Sequence, residues 1–351
     1  MLTPFCGYLA AGPVSDGFVD PGPARRVAAR LNRAPAGRRY HSVLDEAAGR
    51  GLLRRFDEPS LLRYEVGDGS QVTVGVVGLL DAADRDSPLL PHEETVPAET
   101  SQRRSTRTRA AADVQPIVVM TAADLTVPEP SGEGIVLRLG RWEHRVSPIA
   151  AADTAAIRAS MARRPLVIAD GHHRGRVAAE HPSGPESAVL AWVVPAHGLR
   201  AGAFHRCFER IEAPSPERVA GAFRVESAVR ERPRPVAGSL VWVPGDPGGE
   251  PLRLTPLPAA LEGLAPAARG SMAAVARHAL WPLLGVGEHD AVYVASAEDL
   301  VTGVGPGGGG FLVPGMPVRS IVAAAGAGVL LPPKATRFRP KPVRGAVIRP
   351  L

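Results

Sequence analysis

The sharpest change of pattern along the chain falls at 165–180. The apolar run Leu166-Val-Ile-Ala169 stops at Asp170-Gly-His-His-Arg174, and a helical apolar pattern resumes at Val177-Ala-Ala179. The β-branched and aliphatic run predicts a short buried strand, Gly171 the tight turn behind it, and Val177 to Ala179 a helix. A strand that turns into a helix aims backbone N–H groups and the positive end of the helix dipole at the turn, so the expected guest is an anion, with phosphate the natural choice. Adjacent side chains diverge on either element, so His172 and His173 are expected to serve different purposes, one facing a pocket and the other packing. A helix cap with local ion pairs is the plainer alternative for the same cluster.

Around this motif the pattern predicts helices over Ala24–Asn32, Arg39–Arg55, the Arg103–Arg109 region, Ala151–Arg163 and Ser215–Arg224, the last with Ser215 as N-cap and Pro216 in the first turn. Strands are predicted at Leu61–Glu65 and Gln71–Val77 about the turn Gly67-Asp-Gly69, at Pro116–Met120, in a hairpin from Gly134 to Val146, at Ala188–Val194, at Gly202–Glu209 and at Ser239–Val243. Leu89–Thr95 reads as a polar loop. The Pro/Gly-rich stretch 244–266 reads as a loop or linker, which gives an N-terminal and central region 1–243 and a C-terminal region 267–351 whose tail returns to the site. Gly303–Gly310 lacks the Gly-Lys-Ser/Thr ending of a phosphate loop and reads as a flexible turn. Strands and helices mix without strict alternation, which predicts an α+β class with mixed sheets and packed helices.

Composition narrows the function classes. Apolar residues at 45% and charged residues at 22% fit a globular chain. No apolar run reaches the ~20 residues of a membrane span, and the N-terminus lacks a basic-then-apolar leader, so a cytoplasmic protein is expected, with no membrane partner. The net charge of +6 is spread along the chain and aromatics are 5%, so nucleic acid is not an expected partner. Cys6 and Cys207 have neither disulfide-framework nor metal-ligand spacing. Of 41 basic residues only Lys334 and Lys341 are lysine, both in the last eighteen positions, which suggests a place there for a compact ammonium.

Four blocks together resemble the bacterial and archaeal family known as domain of unknown function 1015. They are Pro91-His-Glu-Glu-Thr95 with Arg103 and Pro116-Ile117, then Ile168-Ala-Asp-Gly-His-His-Arg174, then Ala203-Phe-His-Arg206, and last Leu331-Pro-Pro-Lys-Ala-Thr-Arg-Phe-Arg-Pro-Lys341 running to Gly345. The Asp-Gly-His-His-Arg block also resembles the phosphate-contacting turn of the ParB and sulfiredoxin-like superfamily, which includes a free-serine kinase. The resemblance implies a core of that kind with further α/β elaboration, and a nucleotide or phosphate site lined by Asp170, His172, His173 and Arg174. The chain departs from the family pattern at Thr100 and Gln102, where a Lys and an Asp are usual before the Arg, and at Phe18-Val-Asp-Pro-Gly-Pro23, which replaces a Pro-Pro-Tyr-Asp type segment.

By that resemblance the expected function is a nucleotide-dependent phosphotransferase, a kinase, acting on a small hydroxylated metabolite such as serine. ATP or ADP, with CTP as a further candidate, and magnesium are the implied cofactors. The residue types supply each part of such chemistry. Asp170, Glu93 and His172 are the candidate catalytic groups. His92, Arg103, Gly171, His173, Arg174, His205 and Lys334 are the candidate phosphate or nucleotide contacts, and Asp170 or Glu94 the candidate magnesium ligand. Plainer roles stand beside these: Glu93 and Glu94 as acids at a helix start, and His205 as a satisfied strand histidine. A phosphomonoester hydrolase and a non-catalytic nucleotide-binding regulator are the rival functions, and the sequence sets no oligomeric state.

Overall fold

The computed structural model describes residues 1–33, 40–85, 89–122, 124–161, 164–229 and 233–351. Arg39, the expected start of the second helix, and residues 162–163, the expected end of the 151–163 helix, lie outside them. The chain divides into two compact units. The first comprises Met1–Pro91, Thr95–Arg200 and Pro340–Leu351, and the second His92–Glu94 and Ala201–Arg339. This division differs from a boundary at 244–266, because that stretch holds the strand Leu252–Pro256, paired on both edges within the second unit.

In the first unit a mixed sheet runs in the order Val14–Ser15, Phe18–Val19, Ile135–Leu139, Trp142–Pro148, Leu62–Gly67, Val72–Asp81, Ala188–Pro195, Ile117–Thr121, Leu166–Asp170 and Leu89–Leu90. Its middle strands are the most continuously apolar stretches of the chain, as strands covered on both faces must be. Ile117–Thr121 is buried throughout, parallel to Ala188–Pro195 on one side and antiparallel to Leu166–Asp170 on the other. Leu2, Val76, Ile117, Val119, Ile157, Leu166 and Val193 form part of its core. A smaller sheet orders Leu53–Ser60, Phe5–Ala10, Val347–Pro350 and Ala112–Asp113, so the C-terminal strand is tied into the N-terminal part of the chain.

Five helices are used below: α1 (Pro21–Arg33), α2 (Tyr40–Gly49), α3 (Pro97–Ala110), α4 (Thr154–Met161) and α5 (His172–Ala179). Helix α1 begins three residues before the expected Ala24, since prolines at 21 and 23 are tolerated in a first turn whose N–H groups have no intrahelical partner. Helix α2 stops at Gly49, and the expected helix to Arg55 is corrected there: Gly51 takes a φ of 67°, and Leu53–Ser60 is recruited as a strand by Phe5–Ala10.

The second unit is built on an antiparallel sheet ordered Phe223–Ser227, Leu252–Pro256, Leu240–Pro244, Gly309–Leu312, His205–Phe208 and Val292–Val294. Trp242, Trp281, Phe208 and Phe311 pack ring to ring in its core. The expected Ser215–Arg224 helix is only Pro216–Val219, with Ser215 as its cap, because Phe223 onward pairs with Leu252–Pro256. The glycine run ends in a buried strand, Gly309–Leu312, paired on both edges. The architecture is α+β, as the pattern predicts. No helix among the described residues is long and apolar enough to cross a membrane.

Candidate functional site

In the first unit the strand Leu166–Asp170 does lead through Gly171 into α5. Gly171 caps the helix at φ 99°, and a Cβ there would lie 2.6 Å from Ile117 Cγ2, so both backbone and space demand glycine. The strand's register against Ile117–Thr121 shifts between Ile168 and Asp170. Such a bulge re-aims the residue that follows it. Asp170 lands at the strand's end with Lys341 Nζ bonded to Oδ1 and Arg174 Nη2 3.4 Å from Oδ2.

Arg174 reaches back from α5 and also donates through Nη1 to the carbonyls of Gln115 and Pro116, the latter at 3.1 Å. Burial holds its guanidinium below the usual arginine range, Asp170 and Asp113 work against that, and Arg103 and Arg344 add to it. Arg103 itself is exposed on α3. His172 is buried. His173 accepts at Nε2 from the Val96 N–H at 3.0 Å and turns Nδ1 toward Glu99 Oε2 at 3.7 Å, so it ties α5 to the start of α3, which has no side-chain cap of its own. Thr100 is buried on α3 and donates to the Val96 carbonyl, a role any small hydroxyl can fill.

The C-terminal strap places Lys341. Gln115 Nε2 donates to the Pro342 carbonyl at 2.9 Å, the Val343 N–H donates to Tyr64 Oη at 3.0 Å, and the Gly345 N–H donates to the Val114 carbonyl at 2.8 Å. Val347 and Ile348 then pair with Leu9 and Tyr8. A carboxylate at a strand end, held by an ammonium and a guanidinium beside the N-terminus of a helix, gives the turn the cations and dipole that suit an anion.

A second cluster lies in the second unit. His92–Glu94 joins it through the bridge of Glu93 to Leu331, with Leu331 N–H donating to the His92 carbonyl at 2.8 Å. Glu93 Oε2 accepts from the Thr336 N–H at 3.2 Å and hydroxyl at 3.1 Å, and the Lys334 N–H also donates to this carboxylate. Burial nevertheless raises the Glu93 pKa above the ordinary carboxylate range, with those donors working against it. His92 Nε2 lies 2.8 Å from Thr336 Oγ1; with that hydroxyl donating to Glu93, the histidine is the donor to it. Lys334 sits at φ 58°, a left-handed conformation uncommon for a side-chain-bearing residue and concentrated at functional sites.

Arg206, wholly buried, fixes that loop from the other side. It donates to the carbonyls of Phe204, Pro333 and Lys334 at 2.7, 3.2 and 3.3 Å, and its Nε faces Glu288 Oε2 at 3.6 Å. Glu288 in turn accepts from Tyr293 Oη and Trp281 Nε1. Glu94 is gripped by both Arg277 Nη atoms at 2.6 and 2.8 Å. His205 is buried, its Nδ1 accepting from the Val313 N–H at 3.1 Å, and burial pushes its pKa down to about 4.

The candidate residues thus fall into two sets: Arg103, Asp170, Gly171, His172, His173 and Arg174 in the first unit, and His92, Glu93, Glu94, His205 and Lys334 in the second. Lys341, Arg206 and Arg344 were not among them. The rarity of lysine was the available signal for Lys341. Arg206 carried none beyond its place in a motif block, because its burial follows from the fold.

A family model described as a protein of unknown function, DUF1015, matches residues 30–256. No curated protein matches the sequence. Among solved structures, SbnI with C-terminal truncation from Staphylococcus aureus is 11% identical over 75% of this chain and 82% of its own, with a TM-score of 0.44. A single-residue mutant of free serine kinase in complex with ADP is 13% identical over 77% of this chain and 91% of its own, with a TM-score of 0.42. A conserved hypothetical protein from Pyrococcus furiosus is 14% identical over 77% and 94%, with a TM-score of 0.38. The family match spans more than half of the chain and contains the whole strand-turn-helix around Asp170, and the chain belongs to the DUF1015 family.

Proposed function

We propose that the chain is a nucleotide-dependent phosphotransferase acting on a small hydroxylated metabolite such as serine, with the Asp170 turn as its phosphate site. The observation that carries this reading is Asp170 itself, a carboxylate at a strand end flanked by Lys341 and Arg174 at the N-terminus of α5. Phosphoryl transfer needs cations against the charge on the phosphate oxygens and a carboxylate to orient the acceptor hydroxyl or hold magnesium. The core around the turn is read as ParB/sulfiredoxin-like, with Gly171, His172 and His173 shaping the turn and Arg103 adding charge from α3.

Magnesium takes one or two carboxylates together with substrate phosphates rather than a cage of side chains. Among the described residues no three of His, Cys, Asp and Glu gather as a metal site, and Asp170 is the first-unit carboxylate suited to this role. The ion would supply charge neutralisation on the phosphate oxygens. Proton handling falls to Asp170, the carboxylate at the end of the strand that leads into the turn.

One observation favours a second reading, a nucleotide-binding regulator without transfer: each Asp170 oxygen is engaged by a cation, and the Arg174 fork is committed to two carbonyls as well. Purified protein incubated with magnesium, each nucleoside di- or triphosphate and a metabolite pool decides between them. The phosphotransferase reading expects a phosphorylated hydroxyl product, and a fall of about 100-fold or more in the Asp170→Asn variant with its fold intact. Nucleotide binding with no product in any pool, and no effect of Asp170→Asn, assigns the regulator. Release of phosphate from phosphoesters without nucleotide assigns a hydrolase.

A further inference from the structure

The first unit gathers more cations than its acids hold. Asp113 is shared between Arg107 and Arg349, each at 3.2 Å, and Asp170 between Lys341 and Arg174. Arg25, Arg33, Arg103 and Arg344 come to the same neighbourhood. Among the described residues none of these four makes an ion pair with a carboxylate, unlike Arg30, Arg55, Arg104 and Arg145 of the same unit.

Two packings bring the four together, and a third sets α3 beside the turn. Helix α1, carrying Arg25 and Arg33, packs on α3, which carries Arg103, and α3 packs on α5. The strap carrying Arg344 lies directly on α1. Gly345, at φ 83°, comes so close that an added Cβ would stand 2.5 Å from the Ala24 carbonyl oxygen and 3.2 Å from the Arg25 nitrogen. Arg344 is the hub. Burial lowers its pKa first, and the charges of Arg103, Arg25 and Arg33 lower it further.

Like charges held together on a partly buried surface repel, and a bound anion relieves them. Arginine is the suited residue, since its planar fork meets phosphate oxygens in pairs. Arg25 and Arg33 stand eight residues apart on α1, about 12 Å along the axis, a span one phosphate does not cover. Nucleic acid would call for a basic track with stacking rings, whereas these four gather about one guanidinium.

We propose that Arg25, Arg33, Arg103 and Arg344 form a subsite for a chain of linked phosphates, the part shared by nucleoside triphosphates and inorganic polyphosphate. The proposal rests on reading the Asp170 turn as a phosphate site and extends it from one phosphate to several.

Calorimetry on the full chain with orthophosphate, pyrophosphate, tripolyphosphate and ATP tests it, with thermal unfolding to verify each variant. Affinity is expected to rise from orthophosphate to tripolyphosphate. Arg344→Gln and Arg103→Gln are each expected to lower tripolyphosphate affinity about tenfold or more, while orthophosphate changes less than about threefold. Arg103 is exposed, so its variant keeps the test open should Arg344→Gln fail to fold. Arg319→Gln, exposed in the second unit, controls for net charge and should change neither. Tighter binding of ATP than of tripolyphosphate supports the subsite and assigns the nucleoside source; equal binding supports it and assigns free polyphosphate.

Tripolyphosphate that binds no tighter than orthophosphate, or that is indifferent to Arg103→Gln in a folded variant, overturns the subsite. The turn reading survives that result if Lys341→Met still weakens orthophosphate. Tripolyphosphate binding that depends on the arginines, alongside orthophosphate binding indifferent to Lys341→Met, upholds the subsite and sinks the turn reading instead. A single-stranded DNA oligomer that displaces tripolyphosphate and binds more tightly overturns the subsite in favour of nucleic acid.

Discussion

Asp170 in the first unit and Glu93 in the second are both carboxylates in motif blocks, and their surroundings are opposite. Asp170 stands at a strand end, partly exposed, with a lysine and an arginine on its oxygens. Glu93 is buried and held largely by neutral donors, the N–H groups of Lys334 and Thr336 and the Thr336 hydroxyl, and burial raises its pKa. Opposite charges on a carboxylate act by Coulomb attraction, whereas burial among neutral groups acts through desolvation of the charged form. One residue class is therefore held by ionic partners in one unit and by neutral donors in a buried setting in the other. The loops differ in the same sense: the first is tied by side-chain charges and the second by backbone groups clamped between Glu93 and Arg206.

The largest break in this contrast should come from Arg206→Met. It removes donors from the carbonyls of Phe204, Pro333 and Lys334 and leaves Glu288 without its cation, so a stability loss of about 3–5 kcal/mol is expected by urea unfolding. A loss below about 1 kcal/mol, the worth of a surface ion pair, would show that the second loop is not held in this way.

Gly171→Ala tests the first loop. Strain at positive φ and the overlap with Ile117 together should cost on the order of 2–4 kcal/mol, and anion binding should weaken in whatever fraction remains folded. An alanine variant with wild-type stability would mean that the turn relaxes freely.

His205 sharpens the electrostatic side. Its folded pKa, down to about 4, lies below the unfolded value of ~6.5, so the unfolded chain takes up a proton that the folded chain refuses. Stability should therefore fall as pH drops from about 6.5 to about 4, by on the order of 3 kcal/mol for this one group. His205→Asn retains an acceptor for the Val313 N–H and should remove much of that loss in melts taken across pH. An unchanged pH profile would contradict the assignment.

Glu93 has the opposite sign. The folded chain holds its proton more tightly than the unfolded one, so its contribution is complete below the ordinary carboxylate pKa and is lost as pH rises through the raised folded value. Glu93→Gln should flatten stability over that window, a smaller effect than the others. A slope that survives in the variant would place the titration elsewhere.

The strand-turn-helix around Asp170 could be read locally, because Leu166-Val-Ile, the glycine at 171 and the apolar residues after 176 each specify backbone geometry within a few positions. The hairpins at Leu62–Asp81 and Ile135–Pro148 were legible for the same reason. Two expected helices were not. Both ran too far, at 50–55 and at 220–224, because residues that could be helical were recruited as strands by partners distant in the chain, Phe5–Ala10 and Leu252–Pro256. The scarcity of lysine drew attention to 334 and 341, but it said nothing of their different settings. Lys341 meets Asp170, and Lys334 takes a left-handed backbone whose N–H serves Glu93.

The sequence by itself determined the strand-turn-helix, the hairpins, the family and the chemical types present, because propensity, turn chemistry and motif spacing act over a few residues. Tertiary structure alone decided which acid meets which cation, that Arg206 is buried, and that Arg344 comes to Arg25, Arg33 and Arg103. Those outcomes depend on desolvation and on approaches between segments tens to hundreds of positions apart, which no local pattern encodes.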